Sequence, residues 1–143
     1  MADTEAISIA ATEAFNAHDE ERMRALYAEN AVFEAPGDVR LEGPEAITAY
    51  AMSWLNAFPD AKLVLHNRVV AGEWAVDEFT FEGTHEDTLS GPGGDVPATH
   101  RSLSGRGIEI VRVQDGKIVE DHLYFDQVQV LTQLGLMPEP ATA

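Results

Sequence analysis

The sequence predicts an α+β fold: a cone-shaped, curved antiparallel (mixed) sheet, with three N-terminal helices and a short C-terminal helix closing it around an apolar pocket. Three observations predict this. Apolar residues recur at helical spacing as far as Phe58, the period becomes two from residue 61 onward, and the closing stretch Asp115 to Leu136 reads turn, strand, helix.

Residues 4–17 carry Ile7, Ala10, Ala11, Ala14 and Phe15 as a helical stripe, and residues 19–28 repeat it more briefly with Met23, Leu26 and Tyr27. The run AVFEAPGDVRLEG alternates about a Pro36-Gly37 turn signal and reads as two short strands or one bent strand. Gly43-Pro44 opens a third helix, because Pro suits the first helical turn and Ile47, Tyr50, Ala51, Trp54, Leu55 and Phe58 follow at spacings of three and four. Pro59 stops it. A strand follows in which Leu63, Leu65 and Val69 alternate with Lys62, His66 and Arg68, and a second, 74–85, places Ala75, Phe79 and Phe81 on one face. His85 to His100 holds three Gly and two Pro among polar residues, so residues 86–100 read as a long loop of the kind that lines sites. Asp115-Gly116 then joins strands 105–113 and 117–125 into a hairpin. Val128, Leu131 and Leu134 form a last helix ended by Gly135, and the tail PEPATA reads as disordered.

At 143 residues one domain spanning 1–143 is expected, its ordered part about 5–136. A formal charge of −16 repels phosphate backbones and anionic headgroups, so neither nucleic acid nor a membrane is expected as a partner. The absence of Cys removes disulfides, thiolate nucleophiles and soft metal sites. The first fifteen residues have no basic region and no long apolar run, which leaves a cytoplasmic location as the expectation. No metal-ligand spacing of the H-x-x-x-H type occurs, so no metal and no cofactor is expected.

The second hairpin strand is the unusual element, with Glu120, Asp121, His122 and Tyr124 in one short run. Period two sends Asp121, Leu123 and Phe125 to one face and Ile118, Glu120, His122 and Tyr124 to the other. On the preceding strand Glu109 shares its face with Val111 and Val113. If that face lines the pocket, desolvation raises the Glu109 pKa toward acid–base use; if it is the outer face, Glu109 is a solvated carboxylate. Asp121 is likewise either a pocket acid or an exposed strand-end carboxylate. Asp126 sits where it would cap the final helix. His85, at a strand end beside the long loop, reads as an auxiliary acid–base group or as a surface hinge. His122 and Tyr124 are secondary candidates or contacts to a neighbouring chain. Tyr27, Phe33, Trp54, Phe58, Phe81, Leu123 and Phe125 are expected to wall the pocket, their aromatic members suiting a flat apolar ligand.

The order of elements, with LYAENAVFEAP after the second helix, FEGTH before the loop and DGKIVEDHLYFDQVQVLTQLGL at the end, resembles the SnoaL-like polyketide cyclases and their ester-cyclase branch. These sit in the wider superfamily of nuclear transport factor 2, ketosteroid isomerase and limonene epoxide hydrolase. The resemblance covers about residues 5–136 and implies the cone fold and a homodimer. It also implies cofactor-free proton transfer, either aldol cyclisation or isomerisation, on an apolar carbonyl or ester-like substrate. Position by position, Leu123 stands where characterised cyclases have their acid–base Asp, and Ala35 where the isomerases have a general base. No Arg is assigned to an epoxide-hydrolase arrangement. Glu109 matches the isomerases' oxyanion-hole Asp and the cyclases' second polar residue. The expectation is therefore an acid–base pair of Glu109 and Asp121 assisted by His85. The alternative is a small-ligand-binding or dimeric assembly module that keeps the cone without the chemistry.

Overall fold

The computed structural model describes residues 2–91 and 94–138. Helices α1 (Ala2–Asn16) and α2 (Glu20–Ala25) lead into strands β1 (Tyr27–Ala35) and β2 (Val39–Glu42), and α3 (Pro44–Ala57) follows. Strands β3 (Lys62–Ala71) and β4 (Trp74–Thr84), the short pair β5 (Leu89–Gly91) and β6 (Gly94–Val96), the long hairpin β7 (Ser102–Gln114) and β8 (Lys117–Phe125), and helix α4 (Gln127–Gln133) complete the chain. Six strands form one sheet in the order β2-β1-β8-β7-β4-β3, in which only β1 and β8 run parallel. The mixed curved sheet and four helices are those the periodicity predicts.

Local chemistry accounts for the boundaries. Asp19 and Asp126 cap α2 and α4 by accepting the amides of Arg22 and Gln129 at 3.1 Å, and Pro44 sits at the start of α3. The hairpin turn has φ 52° at Asp115 and 72° at Gly116, the positive pair that a two-residue turn matching the strand twist requires. α1 packs on β3, β4 and β7, α3 on β1 and β2, and α4 on β7, so the helices share the sheet's inner face. Leu55, Phe58, Leu103 and Leu134 form the largest apolar cluster there, each large side chain worth about 1.5–3 kcal/mol when fully buried.

Four expectations are corrected. Tyr27 opens β1 rather than closing the second helix, which ends at Ala25, so its side chain follows strand geometry. The 86–100 segment contains the β5–β6 hairpin, with Leu89 packed on the main cluster. A register shift between Leu65 and Asn67 turns Val69 outward, where it is 62% exposed, and sends Arg68 inward opposite Asp77. A second shift between Arg112 and Val113 pairs Val113 with Ile118 and Arg112 with Glu120, which leaves Val119 as the extra residue. Ile118 is consequently buried on the same side as Asp121. Apart from Pro138, the PEPATA tail lies outside the described residues.

Candidate active site

The inner faces of β4, β7 and β8 bring three carboxyl groups to one cavity. In the β7–β8 register Val111 faces Asp121 and Glu109 faces Leu123, so Glu109 and Asp121 are diagonal neighbours on one face. In the β4–β7 register Asp77 lies directly opposite Glu109. Asp121 is fully buried, and the Tyr27 hydroxyl donates to its Oδ2 at 2.6 Å. Its Oδ1 is buried and, among the described residues, receives no hydrogen from an amide, hydroxyl or ammonium donor. A carboxyl group can donate only in its acid form, so a protonated Glu109 is a donor available to this neighbouring carboxylate.

Burial and charge act unequally on the two carboxyl groups. Desolvation pushes the Glu109 carboxyl well above the ordinary Glu range, and the charges of Asp121 and Asp77 push it further. Burial also raises Asp121, but hydrogen bonds from Glu109 and Tyr27 favour its charged form and pull against that rise. Burial first, then the charges of Asp121 and Glu109, drive the Tyr27 hydroxyl well above the usual phenol value, so it remains a donor. Both carboxyl groups are raised, Glu109 the further of the two, so Glu109 keeps a proton more readily and Asp121 gives one up more readily. Two interacting carboxyl groups whose pKa values are pushed apart are suited to act as an acid and a base.

The cavity encloses about 150 Å³ and is mainly apolar. Tyr27, Phe33, Trp54, Phe81, Leu123 and Phe125 line it, as the sequence leads one to expect. Trp54 meets Phe81 and Phe125 edge to face, with ring centroids 5.7 Å apart in each pair. Phe58 does not reach the cavity; it is wholly buried behind it, stacked between Trp54 and His85. Glu109, Asp121 and Asp126 all border the cavity, Asp126 while capping α4.

His85 is not brought to this site. It is completely buried at the end of β4, with its ring 5.1 Å from that of Phe58, Nδ1 3.0 Å from Thr99 Oγ1 and Nε2 without a partner. Desolvation lowers its pKa. The Gly- and Pro-rich sequence around it suggests an open hinge, whereas backbone bonds to Arg101 and His100 close the segment over it. His122 and Tyr124 lie on the outer face: His122 sits between Glu34 and Glu120, and Tyr124 is 57% exposed.

Sequence reasoning missed Asp77 and Arg68 as site residues, and with them the Tyr27–Asp121 contact. Asp77 belongs to the same alternation as Ala75, Phe79 and Phe81, which is the signal that places it inward. Tyr50 from α3 also lines the cavity, its pKa raised by burial and then by the Glu109 charge. Among the described residues no group of three or more His, Asp and Glu side chains is arranged to hold a metal ion.

A model of the SnoaL-like polyketide cyclases matches residues 6–134. The chain belongs to the SnoaL-like polyketide cyclase family. Aklanonic acid methyl ester cyclase DnrD of Streptomyces peucetius is 36% identical over 97 residues, covering 66% of this chain and 63% of that relative's length. IdmH of Streptomyces antibioticus, a candidate polyketide cyclase, superposes with a TM-score of 0.76 at 28% identity, over 92% of this chain and 98% of IdmH. A candidate SnoaL-like cyclase from Jannaschia sp. CCS1 shares the fold at a TM-score of 0.83 and 18% identity, over 95% of this chain and 94% of that one. Within this SnoaL-like frame, none of the described helices is long and apolar enough to cross a membrane.

Proposed function

We propose that this chain catalyses a cofactor-free, aldol-type ring closure on an apolar carbonyl or ester-like substrate, with Asp121 as base and Glu109 as acid. The observation that carries this is the pair of Glu109 and Asp121 on one face of an apolar cavity, with the Tyr27 hydroxyl donating to Asp121. Asp121 removes a proton from the carbon next to a carbonyl or ester. The resulting enolate carbon bonds to a second carbonyl carbon, and Glu109 gives its proton to the oxygen that becomes a hydroxyl. Asp121 then holds the substrate proton and Glu109 is ionised, so transfer along their hydrogen bond restores the starting state. Product and substrate are isomers, and nothing is oxidised or reduced.

The relative DnrD supplies a concrete assay, since its name gives aklanonic acid methyl ester as a substrate. Purified protein should convert that ester, or a smaller diketone ester, to a ring-closed product of unchanged mass. Asp121→Asn and Glu109→Gln should each slow turnover by about 100-fold or more, in line with the loss of a general acid or base. Wild-type turnover in the double variant would overturn the assignment. A ligand-binding role without chemistry draws on Leu123, an apolar side chain facing Glu109 where cyclases have an acid. Tight binding of the ester without turnover would select that second reading.

We also propose a homodimer formed through the outer sheet face, in a cytoplasmic setting. Helices leave that face uncovered, and Val69, Ile108, Trp74 and Tyr124 are exposed on it beside an ion-pair chain from Glu73 through Arg112 to Glu120. Light scattering should give twice 15.6 kDa. A mass of 15.6 kDa at micromolar concentration would sink the dimer.

A further inference from the structure

Behind the carboxyl pair lies an ion pair that the acid–base chemistry above does not use. Arg68 of β3 grips Asp77 of β4 side-on, Nε to Oδ1 and Nη2 to Oδ2, each at 2.8 Å. Nη2 also donates to the Ser8 carbonyl at 3.2 Å and to Thr12 Oγ1 at 3.0 Å, and the Ser8 hydroxyl approaches both Asp77 oxygens at 3.3 and 3.4 Å. Both ionic side chains are about 85% buried, being 15% and 14% exposed. Such a pair adds little net stability over apolar packing, since desolvation offsets much of the Coulomb gain.

Its orientation is the informative part. Asp77 lines the cavity directly opposite Glu109, whereas Arg68 is one strand further away and does not line it. The negative end of a fixed dipole therefore points at Glu109, and the positive end is drawn back toward α1. We propose that the Arg68–Asp77 pair is a positioning device that keeps the proton on Glu109, with Ser8 and Thr12 of α1 holding it in place. This rests on Glu109 being the acid of the proposed reaction. The other ionisable groups at the cavity with Glu109 are Asp121 from β8, Tyr27 from β1, Tyr50 from α3, Arg106 on its own strand and Asp126 at the start of α4. Of these Asp121 works in the same direction as Asp77, because a neighbouring carboxylate disfavours a second charge.

Carbon-13 NMR of the labelled protein reads the Glu109 carboxyl directly, with the signal assigned by its loss in Glu109→Gln, and needs no turnover. Asp77→Asn keeps the side-chain shape while removing the charge, and should lower the Glu109 titration midpoint by about one pH unit or more. Arg68→Gln uncovers the Asp77 charge and should raise it. Ser8→Ala, which touches the pair without changing charge, should leave it within about 0.3 unit. Shifts of the same sign in Asp77→Asn and Arg68→Gln, or none in either, would overturn the proposal. Should Asp77→Asn fail to fold, a midpoint in Arg68→Gln that is unchanged or lowered overturns it alone. A chain with no cyclase activity that still shows the opposed shifts would refute the reaction and leave the electrostatic device standing.

Discussion

The Tyr27 hydroxyl and Asp121 Oδ2 are 2.6 Å apart, joined across the parallel β1–β8 pair by residues 94 positions apart in the chain. A phenol whose own ionisation is suppressed by burial is a lasting donor, and the carboxylate it meets has no access to bulk water. The contact thus favours the charged form of Asp121 against the rise that burial imposes.

Replacing Tyr27 by Phe removes this donor and little else. A hydrogen bond to a charged group contributes about 1.5–3 kcal/mol, so Tyr27→Phe should lose that much stability in urea unfolding at neutral pH. Asp121 should also hold its proton to higher pH, moving the acidic limb of the turnover profile upward. An unchanged limb would show that Tyr27 is only packing.

For Glu109 the sign of the pH effect is fixed by its raised folded-state pKa. Between the unfolded value, about 4.3, and the higher folded value, the native chain holds a proton that the unfolded chain has released. Stability contributed by that proton is complete at low pH and is lost as pH rises through this window. Each unit of separation corresponds to about 1.4 kcal/mol. Glu109→Gln carries no titrating group, so its thermal midpoint should exceed that of wild type by a margin that grows from pH 5 to pH 8. A constant margin would mean that Glu109 is already ionised in the native state.

Alternation in the sequence puts Glu109 and Asp121 on the faces of their apolar neighbours but leaves open whether those faces point inward, which the packing of the helices decides. Ile118 and Arg68 were misplaced by the same rule, since each adjoins a bulge, and one extra residue reverses every side chain beyond it. Tyr27 continued a helical stripe in spacing, yet the chain passes directly from α2 into β1, and only the pairing with β8 reveals its partner. That Asp77 faces Glu109 depends on the register of two strands whose connection carries a hairpin of its own, which no local pattern encodes. His85 looked mobile from its Gly-rich surroundings, while backbone hydrogen bonds to Arg101 and His100 bury it.

The burial of His85 has its own pH signature. Its folded-state pKa is lowered by desolvation, so between that value and about 6.5 the unfolded chain binds a proton the native chain refuses. The stability it contributes is full above about 6.5 and falls away as pH drops through the folded value. His85→Phe preserves the stack on Phe58 and removes the titration. Limited proteolysis between Glu86 and His100 should accelerate in wild type from pH 7.5 to pH 5, and change little in the variant. Equal acceleration in both would show that His85 is not the source of the effect.

Gly107 lies opposite Phe79 of the cavity wall and leaves room for its ring. A Cβ built there would lie 2.7 and 2.9 Å from atoms of the Phe79 ring and 3.1 Å from the Tyr124 carbonyl oxygen. The carbonyl belongs to the paired strand β8 and cannot retreat without breaking register, so the ring has to turn. Phe79 lines the cavity two residues beyond Asp77, and its rotation would narrow a space of about 150 Å³. Gly107→Ala should therefore cost about 1–3 kcal/mol of stability through overpacking, and should weaken binding of the methyl ester more than it slows turnover of bound substrate. Thermal unfolding and a separation of kcat from KM measure the two effects. Full stability together with unchanged KM would show that Phe79 has room to move and is not a fixed wall of the site.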